Sequence, residues 1–226
     1  MKIKITPGKL SGNLEAIPSK SQAHRVLIAS ALSGLQGNGA ASYPVAPGSS
    51  KDIDATAGCV EEIKRAAEAG EKASLDCGES GTTLRFLLPV CAALGLDAEY
   101  FGSGRLPERP LSPLKEEMER HGVTFGMPDE AHGSAPLPIC AARGKLKGGD
   151  FSLAGNVSSQ FISGLLFALP LTSDGGAIII TERLESAHYI EMTLDVIRKF
   201  GVEIKVKKNG PDGAGTVFIV PGGQEY

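Results

Sequence analysis

Hydrophobic and polar positions sort the helical stretches of this chain into two alternating kinds. The stretches near 21–34, 80–95 and 158–171 contain VLIASAL, RFLLPVCAALG and FISGLLFALPL, and none has a polar face. A helix that is apolar nearly all the way round is buried on all sides. Each is followed by a stretch of the other kind. DIDATAGCVEEIKRAAEAG, SPLKEEMERHG and AHYIEMTLDVIRKFG each have one apolar stripe and one charged face, as surface helices do. The buried set starts near residues 21, 80 and 158 and the amphipathic set near 52, 112 and 187. Both sets recur every ~60 to ~78 residues, which predicts an internal threefold repeat.

Short runs rich in branched or aromatic residues fill the gaps: KIKIT, NLEAI, ASLDC, AEYFG, VTFGM, LPIC, DFSLAG, AIIIT, VEIKVK and TVFIV. Bounded by Gly, Pro or Asn, they predict strands that alternate with the helices. The simplest packing is an α/β domain of three βαβαββ-like units around three buried helices. Residues 36–50 and 128–136 are rich in Gly, Pro and Ser and predict exposed loops.

Composition narrows the function classes. The 226 residues, 42% hydrophobic, suffice for one large domain or two small ones. The net charge is −3 and the 23 basic residues are scattered, which argues against a nucleic-acid partner and makes any anion site local. Cys59, Cys77, Cys91 and Cys140 lack CxxC spacing, and three of them sit in apolar or strand-like stretches. That is the pattern of reduced core cysteines and points to a reducing cytoplasm. The start MKIKITPGKL lacks the apolar run of a secretion signal. No window approaches the ~20 apolar residues that span a bilayer, so no membrane role is expected.

The candidate chemistry lies at the helix mouths. Ser19-Lys20-Ser21, Ser80-Gly81-Thr82-Thr83 and Ser158-Ser159-Gln160 open the three buried helices. Unpaired N–H groups and a positive dipole end there favour an anion. One such cluster is usually a cap. Three of them, with Arg25 five positions after Lys20 and Arg85 five after Ser80, point to convergence on a polyanionic ligand.

Lys20 suits a phosphate or carboxylate; the plain alternative is a solvated lysine beside a cap supplied by Ser21. Arg25, one turn inside an apolar helix, needs a partner, either a ligand anion or a core carboxylate. In DCGESGTTLR the glycines admit a ligand close to the backbone, whereas Glu79 would repel a phosphate and is expected to cap the helix or orient Arg85. RLPERPLSPL holds Arg105 and Arg109 in a turn stiffened by three prolines, so Arg109 loses little entropy on gripping an anion. GNVSSQF brings two hydroxyls and an amide, more than a cap requires. Ser186 and Tyr189 open the last amphipathic stretch, where they either cap and pack or bond a ligand hydroxyl. His24, His121, His132 and His188 have no metal-site spacing, and there is no nucleophile elbow, P-loop or dinucleotide fingerprint.

Six strings, SKSQAHR, LDCGESGTTLRF, LPERPLSPL, GNVSSQFISGLL, ESAHYIEMTL and VPGGQEY, occur in the order and approximate spacing of the 5-enolpyruvylshikimate-3-phosphate synthases. On these motifs the whole chain resembles that family. The resemblance implies three βαβαββ repeats in an inside-out α/β barrel. It also implies transfer of an enolpyruvyl group from phosphoenolpyruvate to shikimate 3-phosphate in the shikimate pathway of aromatic amino-acid and chorismate biosynthesis. In that family the 5-hydroxyl adds to C2 of phosphoenolpyruvate and the tetrahedral intermediate loses phosphate, without cofactor or metal.

Motif by motif, Lys20 resembles the lysine that contacts phosphoenolpyruvate and assists proton transfer, and it also reaches shikimate 3-phosphate. Ser21 and Arg25 resemble shikimate 3-phosphate ligands. Gly81 and Arg109 resemble residues of the phosphoenolpyruvate pocket, supported by Arg85 and Glu79. Ser158, Ser159, Ser186 and Tyr189 match positions that hold shikimate 3-phosphate, and Gln160 lies between the two ligands. The resemblance thus makes ligands of Ser186 and Tyr189.

Two departures accompany the resemblance. Glu79 stands where many members have Asn. Family members also have two similar lobes, and the second brings the Asp base, a catalytic Glu and further Lys and Arg ligands. The resemblance therefore implies an N-terminal lobe over 18–220, with 1–17 as N-terminal strand and crossover segment and 221–226 as the start of the crossover to the second lobe. It implies a monomeric cytoplasmic parent and an isolated chain without activity. Two enzyme alternatives fit less well. A UDP-N-acetylglucosamine enolpyruvyl transferase uses a loop cysteine that RLPERPLSPL lacks, and an RNA-end-processing relative conflicts with the acidic balance. A stand-alone lobe that binds a phosphosugar-like ligand is the third.

Overall fold

The computed structural model describes residues 3–4, 6–9, 11–13, 19–38, 50–129, 136–209 and 214–226. All of the predicted strand NLEAI but Asn13, and most of both predicted loops, lie outside them. The described part of KIKIT forms no strand, having no neighbour to pair with among the described residues.

The helices among the described residues are α1 (Lys20–Leu35), α2 (Lys51–Ala69), α3 (Gly81–Leu94), α4 (Leu114–Arg120), α5 (Ser159–Ala168) and α6 (Ala187–Lys199). The strands are β1 (Ala73–Asp76), β2 (Ala98–Gly102), β3 (Thr124–Gly126), β4 (Leu137–Arg143), β5 (Gly149–Leu153), β6 (Gly176–Ile180), β7 (Lys205–Lys207) and β8 (Val217–Val220). They form two four-stranded sheets with equivalent orders, β1-β2-β4-β3 and β5-β6-β8-β7. In each, the first two strands are parallel and the remaining pairings antiparallel. A parallel pair needs a crossover, and the buried helices α3 and α5 supply it. The βαβαββ unit is therefore seen in full twice. The helix pair α1–α2 has the predicted buried-then-amphipathic order but no strands among the described residues.

The hydrophobic pattern accounts for the layers. In α5 every residue from Phe161 to Ala168 is buried, and in α3 only Thr82, Arg85 and Leu94 are not. In α6 the buried residues are Ile190, Thr193, Val196 and Ile197, a single stripe at helical spacing. The two buried helices approach closely at Gly164. A Cβ there would lie 2.5 Å from the Arg85 carbonyl oxygen and 3.0 Å from Pro89 Cγ. Pro89 has no N–H to return to that carbonyl along the helix, so the groove into which Gly164 fits lies where α3 lacks a backbone bond.

The last residues are tied to the same core. Tyr226, 3% exposed, donates its hydroxyl to Phe167 O at 2.8 Å. Its N–H donates to Gln36 Oε1 at 2.6 Å, and its carbonyl accepts from Asn38 Nδ2 at 2.9 Å. All four cysteines are buried and free. Burial pushes the Cys91 and Cys140 thiols up to about 12, so they are protonated packing groups near neutral pH. Among the described residues no helix is long and apolar enough to cross a membrane.

Candidate anion-binding cleft

The N-terminal turns of α1, α3, α5 and α6 meet at a cavity of about 480 Å³. Lys20, Ser21, His24 and Arg25 line it from α1, and Thr82, Arg85 and Phe86 from α3. Ser158, Ser159 and Gln160 come from the mouth of α5, Ser186 and Tyr189 from that of α6. Lys20, Arg25 and Arg85 are cationic, and among the described residues the lining has no carboxylate. Helix dipoles of the same sign add to this positive field.

In each cluster the first serine is the cap. Ser19 Oγ accepts from Gln22 N at 3.3 Å, Ser80 Oγ from Thr83 N at 3.2 Å and Ser158 Oγ from Gln160 N at 3.3 Å. This corrects the expectation that Ser21 caps α1: the helix begins one residue earlier, at Lys20, and Ser21 sits inside the first turn facing the cleft. It also corrects the expectation for Glu79. Ser80 caps α3, Arg85 is held by other groups, and the exposed Glu79 carboxylate lies over Gly104, where a Cβ would come within 2.8 Å of it.

Arg25 is 3% exposed, yet its bonds run to neutral oxygens. Nε donates to Thr193 Oγ1 at 2.7 Å, Nη1 to Ser21 O at 2.7 Å and Nη2 to Tyr189 O at 2.9 Å. The guanidinium carbon lies 5.1 Å from the Phe86 ring centre and 5.9 Å from that of Tyr189. No carboxylate pairs with it among the described residues, so the expected core counter-ion is not there. Burial pulls the Arg25 pKa down to about 10, slightly offset by Tyr189, and the group keeps its charge at neutral pH. A buried cation held only by dipoles at a cleft mouth is set up for an anion.

Arg85 spans the second and third mouths. Nη1 donates to Gln160 Oε1 at 2.8 Å, Nη2 to Pro110 O at 3.2 Å, and Gln160 Nε2 donates to Thr82 Oγ1 at 2.8 Å. The guanidinium also lies 5.1 Å from the Phe161 ring centre. Burial, then the neighbouring Arg109, lowers its pKa. Arg109 follows the 3₁₀ turn Leu106–Glu108 and reaches over the start of α3, with Nη1 2.9 Å from where a Gly81 Cβ would be. Gly81 is therefore the residue that admits Arg109 to this mouth. Gly81, Arg109 and Glu79 lie beside the cavity and are not part of its lining.

Lys20 donates to Asp52 Oδ2 at 2.7 Å, a pair in which both side chains keep solvent access. Ser186 adopts a left-handed backbone (φ 55°), unusual for a residue with a Cβ, and its side chain makes no cap bond. Its hydroxyl is thus not used as the cap that local sequence suggested.

Several site residues escaped sequence reasoning: Asp52, Thr56, Ser163 and Thr193. Thr193 bonds both Arg25 and Ser163 Oγ, the latter at 2.8 Å. Asp52 and Thr56 stand 32 positions after Lys20 and His24, whose side chains they meet. The signal is a matched i,i+4 pair on each of two helices, readable only once α1 and α2 are known to pack face to face.

Fold and cleft together define a repeat-built α/β unit whose buried-helix mouths gather three cationic side chains around one cavity. The family described as EPSP synthase (3-phosphoshikimate 1-carboxyvinyltransferase) matches residues 5–224, and the chain belongs to it. A curated relative named 3-phosphoshikimate 1-carboxyvinyltransferase, from Clostridium perfringens (strain SM101 / Type A), is 40% identical over 240 residues, covering 100% of this chain and 53% of the relative. One of the same name from Clostridioides difficile (strain 630) is 36% identical over 248 residues, covering 99% and 53%. The chain spans about half the length of the curated relatives it matches. A solved EPSP synthase from Acinetobacter baumannii superposes with a TM-score of 0.64 at 19% identity, covering 95% of this chain and 47% of that one, a likeness of fold. The UDP-N-acetylglucosamine alternative is not favoured by these relatives.

Proposed function

We propose that this lobe forms one wall of an enolpyruvyl transferase site, with shikimate 3-phosphate in the cleft and phosphoenolpyruvate beside it. Ser21, Arg25, Ser158, Ser159, Gln160, Ser186 and Tyr189 hold shikimate 3-phosphate. Lys20, Gly81, Arg109 and Gln160 face phosphoenolpyruvate, with Arg85 in support. Lys20 touches both ligands and assists proton transfer as the 5-hydroxyl adds to C2 of phosphoenolpyruvate and phosphate then leaves.

The observation that carries this reading is Arg25, buried, charged and, among the described residues, bonded only to neutral oxygens where four helix mouths converge. The Arg85–Gln160–Thr82 chain lines the cavity, and Arg85 also reaches toward Gly81, beside which Arg109 lies, which suits two anions side by side. The parent works as a cytoplasmic monomer in aromatic amino-acid biosynthesis. These 226 residues alone bind without turnover, because acid–base groups worth about 10²–10⁴-fold come from a second lobe. Calorimetry of the chain with shikimate 3-phosphate tests the reading. Heat saturating at one equivalent supports it, and no heat at millimolar ligand contradicts it. Phosphate release by the isolated chain would contradict the need for a second lobe.

A further inference from the structure

His24, 1% exposed, lines the cleft from the second turn of α1. Its Nε2 is the one buried side-chain nitrogen or oxygen with no hydrogen-bond partner among the described residues. Its other ring nitrogen begins a directional chain. Nδ1 lies 2.7 Å from Thr56 Oγ1, Thr56 Oγ1 lies 2.6 Å from Thr83 Oγ1, and Thr83 donates its hydroxyl to Ser80 Oγ at 2.7 Å.

A hydroxyl has a single proton. Thr83 gives its proton to Ser80, so Thr56 must supply the one between the two threonines. The other acceptor for Thr56, Asp52 O at 3.2 Å, also points away from the imidazole. In either arrangement His24 Nδ1 is the donor to Thr56. The network thus assigns the Nδ1–H tautomer and leaves Nε2 a bare lone pair. Burial keeps the ring neutral, with a pKa of about 4; Asp52 opposes this effect, and Lys20 and Arg25 reinforce it.

We propose that His24 Nε2 is a hydroxyl-reading element of the cleft, accepting a hydrogen bond from a hydroxyl group of the bound anionic ligand. Lys20, Arg25 and Arg85 only donate, and the Gln160 side-chain oxygen is taken by Arg85. A carboxylate acceptor in this position would neutralise the field that draws the anion in. A neutral imidazole accepts without that loss. A ligand with phosphate and ring hydroxyls then binds better than phosphate alone, because the simple anion leaves Nε2 unpartnered.

The inference rests on the reading that the cleft takes shikimate 3-phosphate, and the test separates the two. Two-bond ¹H–¹⁵N spectra of the histidine rings are recorded on the 226-residue chain while shikimate 3-phosphate, or inorganic phosphate, is titrated in. Expected are a protonated Nδ1 and bare Nε2 in the free protein, an Nε2 signal that moves with shikimate 3-phosphate, and one that stays put with phosphate. His24→Phe should weaken shikimate 3-phosphate about tenfold and leave phosphate affinity unchanged. A protonated Nε2 in the free chain overturns the assignment. So does an Nε2 already bonded to water and unmoved by ligand. Movement at Arg25 and Ser158 without movement at Nε2 removes the hydroxyl contact alone. No movement anywhere in the cleft removes both readings.

Discussion

Lys20 donates to Asp52 at 2.7 Å across the α1–α2 interface, placing a carboxylate beside the cation that faces the cleft. The side chains are 55% and 31% exposed, so the pair contributes about 1 kcal/mol or less to folding. Its larger effect is on charge, since Asp52 offsets part of the field around Lys20. Asp52→Asn is expected to leave the urea midpoint nearly unchanged and to tighten inorganic phosphate binding about two- to fivefold, more at low salt. Calorimetry at two ionic strengths checks this. Weaker phosphate binding would mean that Asp52 serves chiefly to hold Lys20 in place.

Gly81 offers a cleaner separation of fold from site. The contact a new Cβ would meet is Arg109 Nη1 at 2.9 Å, the free end of a flexible side chain. Gly81→Ala also removes a glycine from the first position of α3, a change that adds up to about 1 kcal/mol of stability. The expected variant melts no lower than the parent but holds phosphoenolpyruvate less tightly because Arg109 is displaced. Unchanged affinity would show that Arg109 does not grip the ligand from this corner.

Gly164 behaves oppositely. Its neighbours are the Arg85 carbonyl at 2.5 Å and Pro89 at 3.0 Å, and the backbone carbonyl can recede only if α3 and α5 separate. Gly164→Ala should cost about 1–3 kcal/mol or more in urea unfolding and loosen the Arg85–Gln160 bond. A stability equal to that of the parent would contradict the close helix approach.

His24 gives stability a pH dependence of known sign. Its pKa falls from 6.5 to about 4 on folding, chiefly by burial, so between these values the unfolded chain takes up a proton that the folded chain refuses. The contribution is complete above pH 6.5 and is lost as pH falls through about 4, a change on the order of 3 kcal/mol. The hydrogen bonds that lower Glu62 and Asp129, from Arg65 and Lys72 respectively, add losses further down the scale. Urea unfolding at a series of pH values should show a shallower slope across this window in His24→Asn. Equal slopes would mean that His24 titrates alike in both states.

Much of this architecture can be read in the chain because burial leaves a periodic mark. All-apolar stretches became α1, α3 and α5, and eight of the ten predicted strands were found at their expected places. The helix mouths were legible for a related reason, since Ser19, Ser80 and Ser158 each cap the helix they precede, a purely local role. The partners of the charged groups were not legible. Arg25 meets Thr193 across 168 positions, and Arg85 meets Gln160 across 75. Such pairs depend on which helix faces which, and local periodicity does not encode that. Ser186 misled for a different reason: its left-handed backbone removes it from the capping geometry that serine at a helix start normally adopts.

Arg25 is the group on which anion binding in the cleft turns. Backbone and guanidinium NMR signals of the 226-residue chain, followed during titration with shikimate 3-phosphate, test this most directly when compared with those of Arg25→Met. The predicted result is saturable movement of Arg25 Nε, Ser158, Ser159, Gln160, Ser186 and Tyr189 in the parent chain. The variant should fold with stability within about 2 kcal/mol of the parent, since no buried carboxylate loses its partner, and bind at least about tenfold more weakly. Equal affinity in the two proteins, or saturable movement confined to other surfaces, would contradict the account.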